Sequence, residues 1–226
     1  MNSNSVKDKK LIISTIINIM IFVFSLLASI IMFTGFKFMH GYEPILEARS
    51  ISMFKFFTVE SNVFVGIVAL IFAIKEIRVL TNKDDEIGKR LYILKLMATT
   101  AVGLTFVVVF TYLGPISKGG IKSMLMNSNL FFHLIIPVLS MINFAFFEKT
   151  EKLHFKDSFY GIVPTFLYEL YYLGNIIVHM ENGMVSPKYD WYWFVQNGVW
   201  TAIIVAPMIL LISFIISLVL WRINRK

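Results

Sequence analysis

Six long stretches that are almost free of charge constrain this chain more than any other feature. Residues 11–36, 96–117, 123–147 and 191–221 hold no Asp, Glu, Lys or Arg, while 56–74 holds only Glu60 and 158–180 only Glu169. A helix needs roughly 18–20 apolar residues to cross about 30 Å of hydrocarbon, and every stretch meets that length. The pattern predicts six transmembrane helices, at about 11–35, 54–76, 92–114, 128–147, 158–180 and 197–221. The ten-residue alternation of a membrane β-barrel is absent. Composition agrees: 57% of the 226 residues are hydrophobic and 15% charged, against about 25% charged in a soluble domain, and the mean hydropathy is +0.73. Disordered, collagen-like and coiled-coil chains are excluded, and an ordinary soluble domain could not hide so much apolar surface. The chain reads as all-α, a single polytopic membrane domain over 1–226, without repeats. It contains no Cys, so thiol chemistry, disulfides and Cys-ligated metals are excluded. Lys7, Lys9 and Lys10 precede the first apolar run as in a signal peptide. That run is too long for an h-region and no Ala-x-Ala follows, so a retained first helix is expected.

Of the 21 Lys and Arg residues, 14 fall on the side of the termini, 6 on the other, and Lys95 lies just inside the third helix. The positive-inside rule then places both termini in the cytoplasm, and with no targeting peptide the cell membrane is the simplest expected address. Gly41-Tyr42-Glu43-Pro44, Gly114-Pro115, Gly119-Gly120, Asn182-Gly183 and Pro187 mark outer turns, and 81–85 an inner one. The first outer loop, about 37–53, carries Ile45, Leu46, Ile51 and Met53; it reads as a connector or an interfacial segment. The basic residues are divided among four segments and interleaved with Asp84, Asp85, Glu86, Glu148 and Glu151. Nucleic acid is therefore not an expected partner; membrane lipid is.

Polar residues inside apolar stretches are the functional candidates, because burying them is costly. At 100° per residue Thr58, Ser61, Asn62 and Val65 share one face of the second helix, with Glu60 on another. Asn129, His133 and Ser140 share a face of the fourth, where Pro137 introduces a kink near residue 133. Thr58 and His133 lie at similar depth, so the imidazole could deprotonate the hydroxyl; both also suit helix–helix struts. Tyr168, Tyr172, Asn175 and His179 form a polar-aromatic stripe on the fifth helix. Glu169 lies near its midpoint, with tyrosine hydroxyls or Thr105 as hydrogen-bond partners, or protonated in a structural role. His40, His133 and His179 fall on the outer half with Glu43, Glu47, Glu181 and Asp190, but no local ligand pair is present, and no metal or other cofactor is expected. Nucleophile-elbow, P-loop and dinucleotide motifs are absent.

These residues resemble a known family. Phe57-Thr58 followed by Ser61-Asn62 is similar to the "FT-x-x-SN" opening of the bacterial branch of the FAR/AIG-type, androgen-induced-protein-like, six-helix membrane family. His133-Leu134-Ile135-Ile136-Pro137 resembles its "H-x-x-x-P". Pro164, Tyr168 and Asp190-Trp191-Tyr192-x-Phe194 resemble elements around its fifth helix. The resemblance covers roughly 10–195 in order and spacing. Eukaryotic members hydrolyse fatty acid esters of hydroxy fatty acids with an essential Thr and His. The resemblance thus implies a lipid-ester hydrolase with Thr58 as nucleophile and His133 as base. Asn62 or Asn129 is then placed to stabilise the oxyanion or to orient the histidine. Glu169 lies outside the family pattern. Two other functions stay open on the residues alone: a small-molecule or proton-coupled carrier using Glu169 and the helix-5 stripe, and a structural or signalling membrane protein.

Overall fold

The first helix ends where a glycine can leave it. In the structure, a computed structural model that describes residues 3–41, 48–84, 86–195 and 198–225, α1 spans Ser3–Thr34. Gly35 follows at φ +71°, a left-handed conformation that costs glycine little. Its N–H reaches the Met32 carbonyl at 3.2 Å and that of Phe36 reaches Ile31 at 3.1 Å, the paired closing bonds of a Schellman motif. A 3-10 segment, Ser50–Lys55, leads into α2, Phe57–Leu80. Four further helices follow: α3 Lys89–Ile116, α4 Ser128–Phe147, α5 Phe155–Val178 and α6 Val199–Asn224. Asp157 starts α5 by accepting the His154 N–H at 2.6 Å, and the first eight residues of α5, Phe155–Ile162, are a 3-10 turn. The described residues include no β-strand; the Asn182-Gly183 turn, both residues at positive φ, closes an isolated bridge between Glu181 and Met184.

Five of these helices, all but α2, are long and apolar enough to cross a membrane. The fold is that of a helical membrane protein. α2 is also long, at 24 residues, but its last two turns carry Lys75, Glu76 and Arg78. The expected boundaries shift where polar residues continue a helix into the interface. α1 begins at Ser3 rather than near 11, α2 runs on to Leu80, and α6 to Asn224. Residues 54–55 belong to the 3-10 segment instead of the second helix. The turn at 42–44, together with Ile45, Leu46, Glu43, Glu47 and Asp85, lies outside the described residues.

Helices that follow one another in the chain run antiparallel, and small or hydroxylated residues set the spacing of packed helices, as is usual where lipid removes the hydrophobic drive for helix association. Ser25 of α1 donates to the Asn62 carbonyl of α2 at 2.7 Å, directly against Gly66. Thr165 of α5 meets Ser213 of α6 at 3.0 Å. Ser217 of α6 donates to the Ser158 carbonyl at 2.7 Å and packs on Gly161 beside Thr100 of α3. α3 is the centre of the bundle: 61% of its most apolar window is buried, against 22% for α6. The outer faces carry exposed Val23, Leu26, Ile30, Phe166, Leu170, Ile204 and Leu211, the surface that lipid would cover. At the basic end, Arg78 and Lys75 clasp Asp84 at 2.6 and 2.7 Å, and the Arg78 hydrogen bond leads in holding this carboxyl down at about 2.

Two turns of α4 are π-helical, Phe131–Ile135 and Asn143–Phe147, and a third π-turn, Val109–Leu113, lies in α3. The first in α4 immediately precedes Pro137. Proline has no N–H and its ring crowds the carbonyl four residues back, here that of His133; a wider turn relieves the clash. The expected kink is therefore expressed as a π-turn that carries His133.

Candidate functional site

Thr58 and His133 lie on adjacent turns of α2 and α4, and Asn62 joins those turns. The Asn62 amide, fully buried, donates to the Thr58 carbonyl at 2.7 Å and to the Phe132 carbonyl at 3.1 Å. Ser61 donates to the same Thr58 carbonyl at 3.1 Å and touches Thr105 of α3 at 3.4 Å. Thr58 is half-buried and Glu60 exposed, as the face assignment anticipates. His133 is 8% exposed, and its Nδ1 lies 2.6 Å from the Met124 carbonyl. A carbonyl only accepts, so Nδ1 carries the proton and Nε2 keeps its lone pair. Among the described residues no hydrogen bond joins the Thr58 hydroxyl to the His133 ring. Asn129 is buried on the same face of α4.

The helix-5 stripe is engaged in holding a loop. Tyr168 donates to the Lys55 carbonyl at 2.5 Å and accepts from the Trp191 indole at 3.1 Å. Tyr172 donates to Asp190 and accepts from the Tyr192 N–H at 3.0 Å. Asp190 also receives the N–H groups of Phe194 and Val195, at 2.8 and 3.1 Å. Asn175 donates to the Tyr189 carbonyl at 2.8 Å, and the His179 ring stacks on Tyr189 with centroids 3.6 Å apart. The Tyr192 hydroxyl in turn accepts the Phe57 N–H at 3.0 Å, at the first turn of α2. Burial pushes that phenol up to about 12, so it stays protonated at neutral pH.

Glu169 is 6% exposed, and among the described residues its Oε1 has no partner. The expected bonds to a tyrosine or to Thr105 are absent because those hydroxyls are committed elsewhere: Thr105 to Ser61 and to the Ala101 carbonyl, Tyr168 and Tyr172 to the loop.

The densest polar cluster is one the sequence reasoning missed. At the basic end, Lys95 of α3 is completely buried, with Glu76 of α2 also at 0% exposure and Glu148, just past α4, at 3%. Glu148, expected among the inner loop charges, is instead drawn inside. Lys95 Nζ lies 3.1 Å from Glu148 Oε1 and also donates to Asn18 of α1. Asn18 donates to Glu76 at 3.1 Å and Glu148 at 2.8 Å. Asn143 of α4 donates to Glu148 at 2.8 Å and to the Ser14 carbonyl at 3.3 Å. Asn224 of α6 closes the base, donating to the Phe144 and Glu148 carbonyls at 2.6 and 2.8 Å. The signal was present in the sequence: Asn18 and Asn143 interrupt apolar stretches, and Lys95 stands inside one. Their likeness in depth became visible only once four helices were packed.

Among the described residues no three His, Asp or Glu side chains gather closely enough to hold a metal ion. Comparison with family models, curated proteins and solved structures finds no match.

Proposed function

We propose that the chain is a six-span protein of the cell membrane, both termini cytoplasmic, that hydrolyses lipid acyl esters with Thr58 as nucleophile and His133 as general base. The observation that carries this reading is the Nδ1 bond from His133 to the Met124 carbonyl, which leaves Nε2 as a base of fixed orientation, next to a backbone that Asn62 ties to Thr58. The residue resemblance supplies the reaction class. Catalytic hydrogen bonds commonly tighten only in the substrate complex, so the lack of a Thr58–His133 hydrogen bond among the described residues is compatible with the assignment.

In the first step the Thr58 hydroxyl oxygen bonds to the acyl carbon while Nε2 takes its proton. The ester C–O bond then breaks, and imidazolium returns the proton to the departing alkoxide. Water attacks the acyl-threonine, His133 accepts a proton from it and hands it to Thr58, and the fatty acid leaves. The two amide hydrogens of Asn62 are already given to carbonyls, so Asn129 is the better donor to the oxyanion.

A fluorophosphonate probe tests the assignment on protein purified in detergent. Labelling is expected in the wild type, absent in Thr58→Ala and strongly reduced in His133→Ala. A folded wild type that takes no label, or a Thr58→Ala protein that labels as well as wild type, overturns it. One observation favours a carrier instead, the unpartnered Glu169 in mid-bundle; against it, the stripe that would form the path is already bonded to the loop.

A further inference from the structure

We propose that the buried cluster of Glu76, Lys95, Glu148, Asn18 and Asn143 is a binding site for one exchangeable monovalent cation, H⁺ or Na⁺. It is separate from Thr58 and His133 and does not depend on their role.

Charge comes first. The cluster holds two carboxylates and one ammonium, with at most 3% exposure on any of the three. One negative charge is left over in a medium where an uncompensated charge is very costly. Among the described residues no other element brings a countercharge. α1 contributes Asn18 and Ser14, and α4 contributes Asn143. α6 contributes Asn224, which is spent on backbone carbonyls. Among the described residues the Tyr92 phenol on α3 is a further titratable neighbour, within electrostatic range of both carboxylates, and it can only add negative charge.

Hydrogen-bond accounting leads to the same place. Glu148 Oε1 takes three donors, from Lys95, Asn18 and Asn143, and Glu76 Oε2 takes one from Asn18. Glu76 Oε1, Glu148 Oε2 and Asn143 Oδ1 are buried and take none. The ammonium cannot serve them, since its remaining side faces the Phe72 ring, 5.3 Å from the centroid. Buried oxygens are rarely left without a donor or cation. Three hard oxygen acceptors with one surplus negative charge suit a proton or sodium ion rather than a divalent or soft metal.

The two cations are separated by infrared spectroscopy of the full-length protein at neutral pH. A protonated carboxyl has a carbonyl stretch well above that of a carboxylate. In choline chloride, a protonated-carboxyl band is expected that survives in Glu169→Gln and disappears in Glu76→Gln or Glu148→Gln. If the band persists when sodium replaces choline, the site holds a proton. If sodium removes it and raises the thermal midpoint above that in potassium or choline at equal ionic strength, the site holds sodium. The Glu169→Gln and sodium arms leave the cluster intact, so they decide even if a cluster variant does not fold. A band lost in Glu169→Gln, together with indifference to sodium, overturns the proposal. So does the absence of both band and sodium effect in the wild type. Fluorophosphonate labelling at Thr58 is read separately, and its failure leaves this test unaffected.

Discussion

Replacing Lys95 by Met removes the one cation that the described residues place in the inner cluster, while keeping most of its aliphatic stem. Its Nζ stands 3.1 Å from Glu148 Oε1, both groups fully buried. At an effective dielectric of about 20 that contact is worth about 5 kcal/mol of Coulomb attraction. Asn18 Oδ1 also loses its donor, which adds roughly 1–3 kcal/mol for a buried acceptor left unmade. Two effects offset this loss: the ammonium no longer has to be desolvated, and a carboxylate can take up a proton. The expected net cost is about 3–5 kcal/mol, as found when one partner of a buried pair is removed. At roughly 2–4 °C per kcal/mol for a chain of this size, the thermal midpoint in detergent drops by roughly 6–20 °C. Because the pair is buried, added salt should change the drop little. The double variant Lys95→Met/Glu148→Gln should regain a large part of it, since the surplus then falls from two negative charges to the one already present in the wild type. A shift below about 2 °C, or a double variant as unstable as the two single changes summed, would refute the assignment of Lys95 as a buried countercharge.

Two further outcomes are open to direct measurement. Asp190→Ala removes the acceptor for Tyr172 and for the N–H groups of Phe194 and Val195; local stability should fall by about 2–3 kcal/mol. Tryptic cleavage after the exposed Lys188 should accelerate by roughly 30–100-fold, and an unchanged rate contradicts the anchoring role. Gly161→Ala places a methyl group against Ser217 and Thr100, so α5 must move away from α6 at a cost of about 1–3 kcal/mol. A lowered thermal midpoint that Ser217→Gly restores would confirm the close approach; a midpoint equal to wild type excludes it.

The apolar stretches made five membrane-compatible helices legible in the sequence, because hydrocarbon thickness imposes a length that composition alone can meet. Faces were legible too: the 100° rule separates buried Ser61, Asn62 and Val65 from exposed Glu60. What escaped depended on partners supplied by other helices. Tyr168 and Tyr172 read as a polar path until the loop at 189–195 was folded over them. Glu148 stands beside Lys149 in the chain and so reads as a surface charge. Only the π-turn at Asn143–Phe147, with the Glu148 N–H closing on the Asn143 carbonyl at 2.9 Å, turns it inward to Lys95. Glu76 lies on the same face of α2 as Asn62 and Val65 by the 100° rule, but it stands between Lys75 and Ile77 at the basic end, and its partners on α1 and after α4 were not legible.

The two wide turns of α4 make that helix a shaft with two joints. A π-turn holds one residue more than its length as an α-helix requires, so each joint offsets everything beyond it by about 100° of rotation. His133 sits within one joint and Asn143 opens the other. The azimuth between the Thr58-facing end and the Lys95-facing end is therefore fixed by residue count rather than by side-chain identity. Deleting Leu134 would let the first joint close into a regular helix. Either the imidazole or the Asn143–Glu148 pair would then have to turn away from its partners, although every group that bonds them remained in the chain. Spacing between positions 131 and 148 is thus a coordinate of the molecule as strict as any of its polar residues.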